Sequence, residues 1–75
     1  MRLIAYSVII TYNDDILSSD LDNIFPTEES AVREAKKIFE HSPSVYAIEV
    51  QKEEITEQYG RHCLRSVYRQ TRQDI

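Results

Sequence analysis

Gly60 is the one glycine in a chain of 75 residues, and it constrains the fold more than any other position. A lone glycine suits a tight turn whose last residue takes the left-handed backbone region. It separates two stretches rich in β-branched and aromatic residues, Val45-Tyr46-Ala47-Ile48-Glu49-Val50 and Ser66-Val67-Tyr68. Folding the chain at Gln58-Tyr59-Gly60 sets Glu57 opposite Arg61, Glu53 opposite Arg65 and Glu49 opposite Arg69. Pairs repeating every four residues share one face of a β-ribbon, so turn chemistry and cross-strand charge select the same register. The sequence thus predicts a long C-terminal β-hairpin with strands over 45–57 and 61–71.

In this register Tyr46, Ile48 and Val50 point towards the core, and Tyr68 continues their face. Nearer the turn that face becomes polar, with Lys52, Glu54 and Thr56 opposite Ser66, Leu64 and His62. A strand from Val45 to Glu57 reaches about 40 Å, whereas a fourteen-residue helix covers only about 20 Å. The distal half of the hairpin is therefore expected to project, or to be covered by something else.

A rival reading makes 61–75 a helix. Leu64, Val67, Tyr68, Thr71 and Ile75 fall at helical spacing, with Arg61, Arg65, Arg69 and Arg72 beside them. A basic amphipathic helix of that kind suits nucleic acid or a membrane surface. The turn glycine, the charge register and the Ser66-Val67-Tyr68 stretch favour the hairpin.

Residues 2–12 alternate, with Ile4, Tyr6, Val8, Ile10 and Tyr12 on one face and Leu3, Ala5, Ser7, Ile9 and Thr11 on the other. The first face is bulky and apolar and the second smaller and mixed, as in a central strand with a helix on one side. Asn13-Asp14-Asp15 and Ser18-Ser19-Asp20 are turn signals. After them come either a short strand over 21–25, pairing back on the first, or a meandering loop that drops Leu21 and Phe25 into the core. Asp14, Asp15, Asp20 and Asp22 lack the alternating spacing, central glycine and terminal glutamate of a calcium loop, so no metal is expected.

Thr27 opens the clearest helix, over about 27–41. It is a good N-cap, and Glu28 and Glu29 complement the positive end of the helix dipole, though Ser30 leaves the capping box incomplete. Ala31, Val32, Ala35, Ile38 and Phe39 form a single apolar stripe, and Pro43 prevents continuation much past His41. The expected fold is α+β in two layers, one helix on a three- or four-stranded antiparallel sheet, in a single domain spanning residues 1–75.

Such a chain buries only about 60% of its unfolded surface, so a partner or a second copy would add stability. The one cysteine, Cys63, fits a reducing, cytoplasmic setting. The apolar run Leu3–Ile10 is too short to span a bilayer and has no small-residue cleavage site after it, so no membrane role is expected. Net charge is −4, made up of −7 over residues 1–57 and +3 over residues 58–75. That asymmetry can mark a nucleic-acid arm, but three of the arginines face glutamates in the hairpin register, and only Arg72 is left over.

Catalytic signals are missing. His62 and Cys63 are adjacent and so point to opposite faces of a strand, which prevents the imidazole from activating the thiol. One glycine permits no phosphate-binding loop, and so small a core leaves no room for a typical ligand pocket of about 300 Å³ or more. No enzyme activity and no cofactor are expected. The strand, acidic loop, helix and terminal hairpin make a layout common among small phage- and plasmid-borne proteins. The expectation is a protein-binding module, an inhibitor or regulator of a larger protein, or a homodimer. Its contacts would be Tyr59, Arg61, Leu64, Arg65 and Arg69, with Asp14, Asp15, Asp20 and Asp22 as a second surface. Nucleic-acid binding through Arg61, Arg65, Arg69 and Arg72, with Tyr59 and Tyr68 stacking on bases, is the alternative, and a structural homo-oligomer is a third.

Overall fold

The computed structural model describes residues 2–12, 17–18 and 24–72. In chain order the elements are β1 (Arg2–Tyr12), β2 (Leu17–Ser18), β3 (Ile24–Phe25), α1 (Glu28–His41), β4 (Val45–Thr56) and β5 (Gly60–Thr71). One antiparallel sheet runs in the order β2-β1-β4-β5, and β3 also pairs with β1. Because β4 occupies one edge of β1 throughout, β2 and β3 share the other edge at different heights, and the sheet is four strands wide. The C-terminal hairpin and the α+β class match the expectation from sequence, and the basic-helix reading of 61–75 is excluded over Gly60–Thr71.

The α1 boundaries follow from capping. Thr27 is extended at φ −128°, and its Oγ1 accepts from the Ser30 backbone N–H at 3.2 Å. Ser30 returns the bond, its hydroxyl lying 2.7 Å from Thr27 Oγ1 and donating to the Thr27 carbonyl at 3.1 Å. The returning bond runs to the Thr27 carbonyl, whereas a capping-box glutamate would accept from the Thr27 N–H. At the other end the Val45 N–H closes a turn onto the Ser42 carbonyl at 3.0 Å, with Pro43 inside it. Ala31, Ala35 and Phe39 pack on Val8, Ile10, Val45, Ile48 and Val50, while Val32 and Ile38 flank them half-buried. All of these lie towards the Val45 end of β4, so α1 covers roughly half of one sheet face.

The hairpin register departs from the charge-based one in a specific way. Pairing starts at Thr56 with Gly60, around a Glu57-Gln58-Tyr59 loop, and Gly60 has φ +69°. Near the tip Ile55 faces Arg61, Glu54 faces His62 and Glu53 faces Cys63. Two register shifts then place one extra residue each, Leu64 and Val67, on β5. Beyond them Val50 faces Tyr68 and Glu49 faces Arg69, as the sequence predicts. The expected oppositions of Glu57 with Arg61 and Glu53 with Arg65 do not occur. Packing overrides charge here, since the second shift lets Val67 and Tyr68, consecutive residues, both pack against the core.

A third shift, between Thr11 and Tyr12 of β1, leaves Tyr46 as the extra residue on β4. Val45 consequently becomes the core residue at 1% exposure, and Tyr46, expected inside, is 38% exposed. Ser18, read as part of a turn, pairs with Ile10 in β2. Of the expected 21–25 strand, Ile24 and Phe25 pair with Ser7 and Tyr6, and the remainder lies outside the described residues. Finally, β1 accompanies β4 to its far end, where Arg2 faces Thr56, so the distal hairpin is one part of a three-stranded sheet.

Candidate binding surface

The C-terminal arginines do not form a stripe. Cross-strand partners share a face, so Arg61 and Arg69, opposite Ile55 and Glu49, lie on the face away from α1. Arg65, opposite Lys52, lies on the helix side. Arg61 is held in place. Its Nε and Nη2 donate to Glu53 Oε1 at 3.0 and 2.8 Å, and Nη2 also donates to Ser7 Oγ at 3.2 Å. Glu53 is 7% exposed and Ser7 fully buried, so the guanidinium roofs a small polar cluster on a face that α1 does not cover.

Arg72 is also committed, although the sequence left it without a partner. It donates to the carbonyls of Phe39, Ser42 and Val45, at the C-terminal end of α1 and the start of β4. Arg69 keeps its predicted place opposite Glu49 but forms no ion pair among the described residues, and Glu49 Oε1 accepts from Gln51 Nε2 at 3.0 Å. Asp14, Asp15, Asp20 and Asp22, the second predicted surface, lie outside the described residues.

Arg65 has a different neighbourhood. It stands directly across from Lys52, and like charges in that position repel. One diagonal step towards α1 lies Tyr68, with Lys36 Nζ 5.8 Å from its ring centroid. Lys36, Lys52 and Arg65 come from three different elements, and none forms an ion pair among the described residues. Leu64, at the neighbouring register shift, is 44% exposed, and Tyr59 at the turn is 73% exposed. Tyr59, Leu64 and Arg65 are therefore the predicted contacts that remain available on or near the helix side.

Clefts of ligand size do exist, contrary to the expectation from core volume, but they lie on the outside of the layers. One of about 610 Å³ borders the α1 flank formed by Glu28, Glu29, Val32, Arg33 and Lys36. Another, of about 330 Å³, is apolar and lies at the β1 edge among Leu3, Ile4, Ile24, Phe25, Pro26 and Ile55. Pro26 ends β3 there, because it has no N–H to continue the ladder. No described group of His, Cys, Asp and Glu side chains is arranged to hold a metal ion. His62 faces Glu54, with Nε2 3.7 Å from Oε1, while Cys63 faces Glu53 on the opposite side of the sheet. No described helix is long and apolar enough to cross a membrane.

Comparison with protein families, curated proteins and solved structures finds no match to the chain. The reading of the surface therefore rests on its own geometry. What sequence reasoning missed, Lys36 and Lys52 beside Arg65, had no signal in spacing, since a register shift and a helix flank bring the three together.

Proposed function

We propose that the chain is a small, non-enzymatic protein-binding module that acts as a regulator or inhibitor of a larger protein in the cytoplasm. The observation that carries this reading is the uneven covering of the sheet. α1 packs across β4, β1 and β3 towards the Val45 end. The distal part of the sheet and the helix side of β5 keep Tyr59, Leu64, Leu3 and Ile4 exposed. An exposed aromatic residue and arginine are among the residue types enriched at protein interfaces.

Affinity capture tests the reading, with the tagged chain compared against a Tyr59→Ser/Leu64→Ser double variant. The expected result is a discrete protein retained by the natural chain and lost with the variant, whose circular dichroism stays unchanged. Equal retention by both would remove the distal hairpin from the account.

A further inference from the structure

We infer that the helix side of β5 is a docking groove for an acidic amphipathic helix of a partner protein. This rests on the protein-binding reading above and specifies the partner's chemistry. A two-layer fold covers its sheet with helices, yet α1 lies over β1 and β4 and meets β5 at its edge, with Lys36 over Tyr68, while Phe39 lies beneath Arg72 just past the end of β5. The strip along β5 beside α1 is left without a covering element among the described residues. Val67 and Tyr68, both half-buried against the core, give it an apolar lining, and the exposed Leu64 sits at the register shift beside Arg65.

Charge identifies the occupant. Lys36, Lys52 and Arg65 surround this strip without a carboxylate partner among the described residues, in a chain whose net charge is −4. The register shifts on β5 create the arrangement. In the register that charge alone selects Arg65 would face Glu53, whereas in the structure it faces Lys52. Such irregularities re-aim side chains and are enriched beside functional sites. Two cations set directly opposite each other cost stability, and a local conflict of this kind marks a surface kept for something other than folding. Glu28 and Glu29 border the cleft at the far end of the same helix flank, and Glu29 is already paired with Arg33 at 3.0 Å. The partner's carboxylates therefore gather at the Lys36 end. A polyanion as long as a nucleic acid would extend across the acidic remainder of the protein, whereas a short acidic helix can be placed with its carboxylates on Lys36, Lys52 and Arg65 and away from Glu54, which faces His62 nearer the turn.

The probe is a fourteen-residue synthetic helix with leucine at positions i, i+3, i+4 and i+7 and glutamate elsewhere. A leucine–lysine counterpart and a single-stranded twenty-nucleotide DNA serve as competitors. Backbone amide shifts of the full chain are followed at 50 and 300 mM salt. The expected result is binding of the glutamate peptide with shifts centred on Leu64–Tyr68, Lys36 and Lys52, weakening severalfold at the higher salt. Arg65→Glu should weaken it at least tenfold while leaving the protein folded and no less stable, because it replaces a like-charge pair with an opposite one. Equal binding of the lysine peptide, shifts confined to other surfaces, tighter binding of the DNA at the same residues, or no binding would each overturn the proposal. So would sedimentation of the free chain as a dimer that Arg65→Glu dissociates, since the occupant would then be a second copy. A partner captured through Tyr59 and Leu64 alongside failure of the peptide would leave the protein-binding reading standing without this groove.

Discussion

Arg72 closes the fold on Phe39. Its guanidinium carbon lies 4.2 Å from the Phe39 ring centroid, and Nη2 donates to the Phe39 carbonyl at 2.6 Å. The same side chain reaches the carbonyls of Ser42 and Val45 at 3.3 and 3.0 Å, and its backbone N–H donates to Tyr46 at 2.8 Å. Carbonyls at a helix C-terminus lack intrahelical donors and carry the negative end of the dipole. One arginine just beyond β5 thus ties the end of α1 to the start of β4.

Replacing Arg72 with alanine should cost about 2 kcal/mol, since charge-assisted hydrogen bonds and a stacked cation are lost together. Arg72→Lys should recover less than half, because an ammonium cannot span three acceptors from a planar fork. Urea unfolding followed by circular dichroism measures both.

The register shift at Tyr46 reverses an expectation drawn from alternation. Val45→Ala should cost about 2 kcal/mol through two lost methyl groups and the space they leave. Tyr46→Ser should cost well under half of that. A thermal melt of each variant checks the order, and simple alternation predicts the opposite one.

Gly60 takes φ +69° with nothing within 4 Å of an added Cβ. Gly60→Ala should therefore cost about 1 kcal/mol from backbone strain alone. Gly60→Asn should cost less, as asparagine tolerates this region better. Denaturation midpoints of the two variants give the comparison.

The Glu53–Arg61 pair lies between the exposed and buried extremes, its carboxylate nearly buried and its guanidinium partly in water. A double-mutant cycle with Glu53→Gln and Arg61→Met should return a coupling of about 1.5 kcal/mol, above the range of exposed pairs and below that of buried ones. Ser7→Ala should cost about 1 kcal/mol for its single hydrogen bond to Arg61.

The sequence contains β1, α1 and the hairpin because each is long and regular enough for its period to show. β2 and β3 have two residues each and no period to read. The base of the hairpin is legible because the extra residues Leu64 and Val67 together offset the displacement of the loop, which restores Val50 to Tyr68 and Glu49 to Arg69. The tip is not, because the loop starts its pairing two places out of the charge register and packing of Val67 and Tyr68 sets the shift at Val67, and no charge pattern encodes packing. Arg72 escapes for a related reason. Its acceptors are backbone carbonyls, which have no signature in side-chain sequence. Half of the surface could be anticipated, as Tyr59, Leu64 and Arg65 follow from the hairpin, while Lys36 and Lys52 join them only once α1 is laid over the sheet.

The central claim is that the helix side of β5 receives another protein, and site-specific photo-crosslinking tests it most directly. Benzoylphenylalanine is placed at position 64, beside the groove, or at position 37, on the exposed helix surface, in the full chain inside cells. The account predicts a discrete crosslink to a different protein from position 64, lost when Arg65→Glu is added, and none from position 37. Equal crosslinking from both positions, or none from position 64, would contradict it.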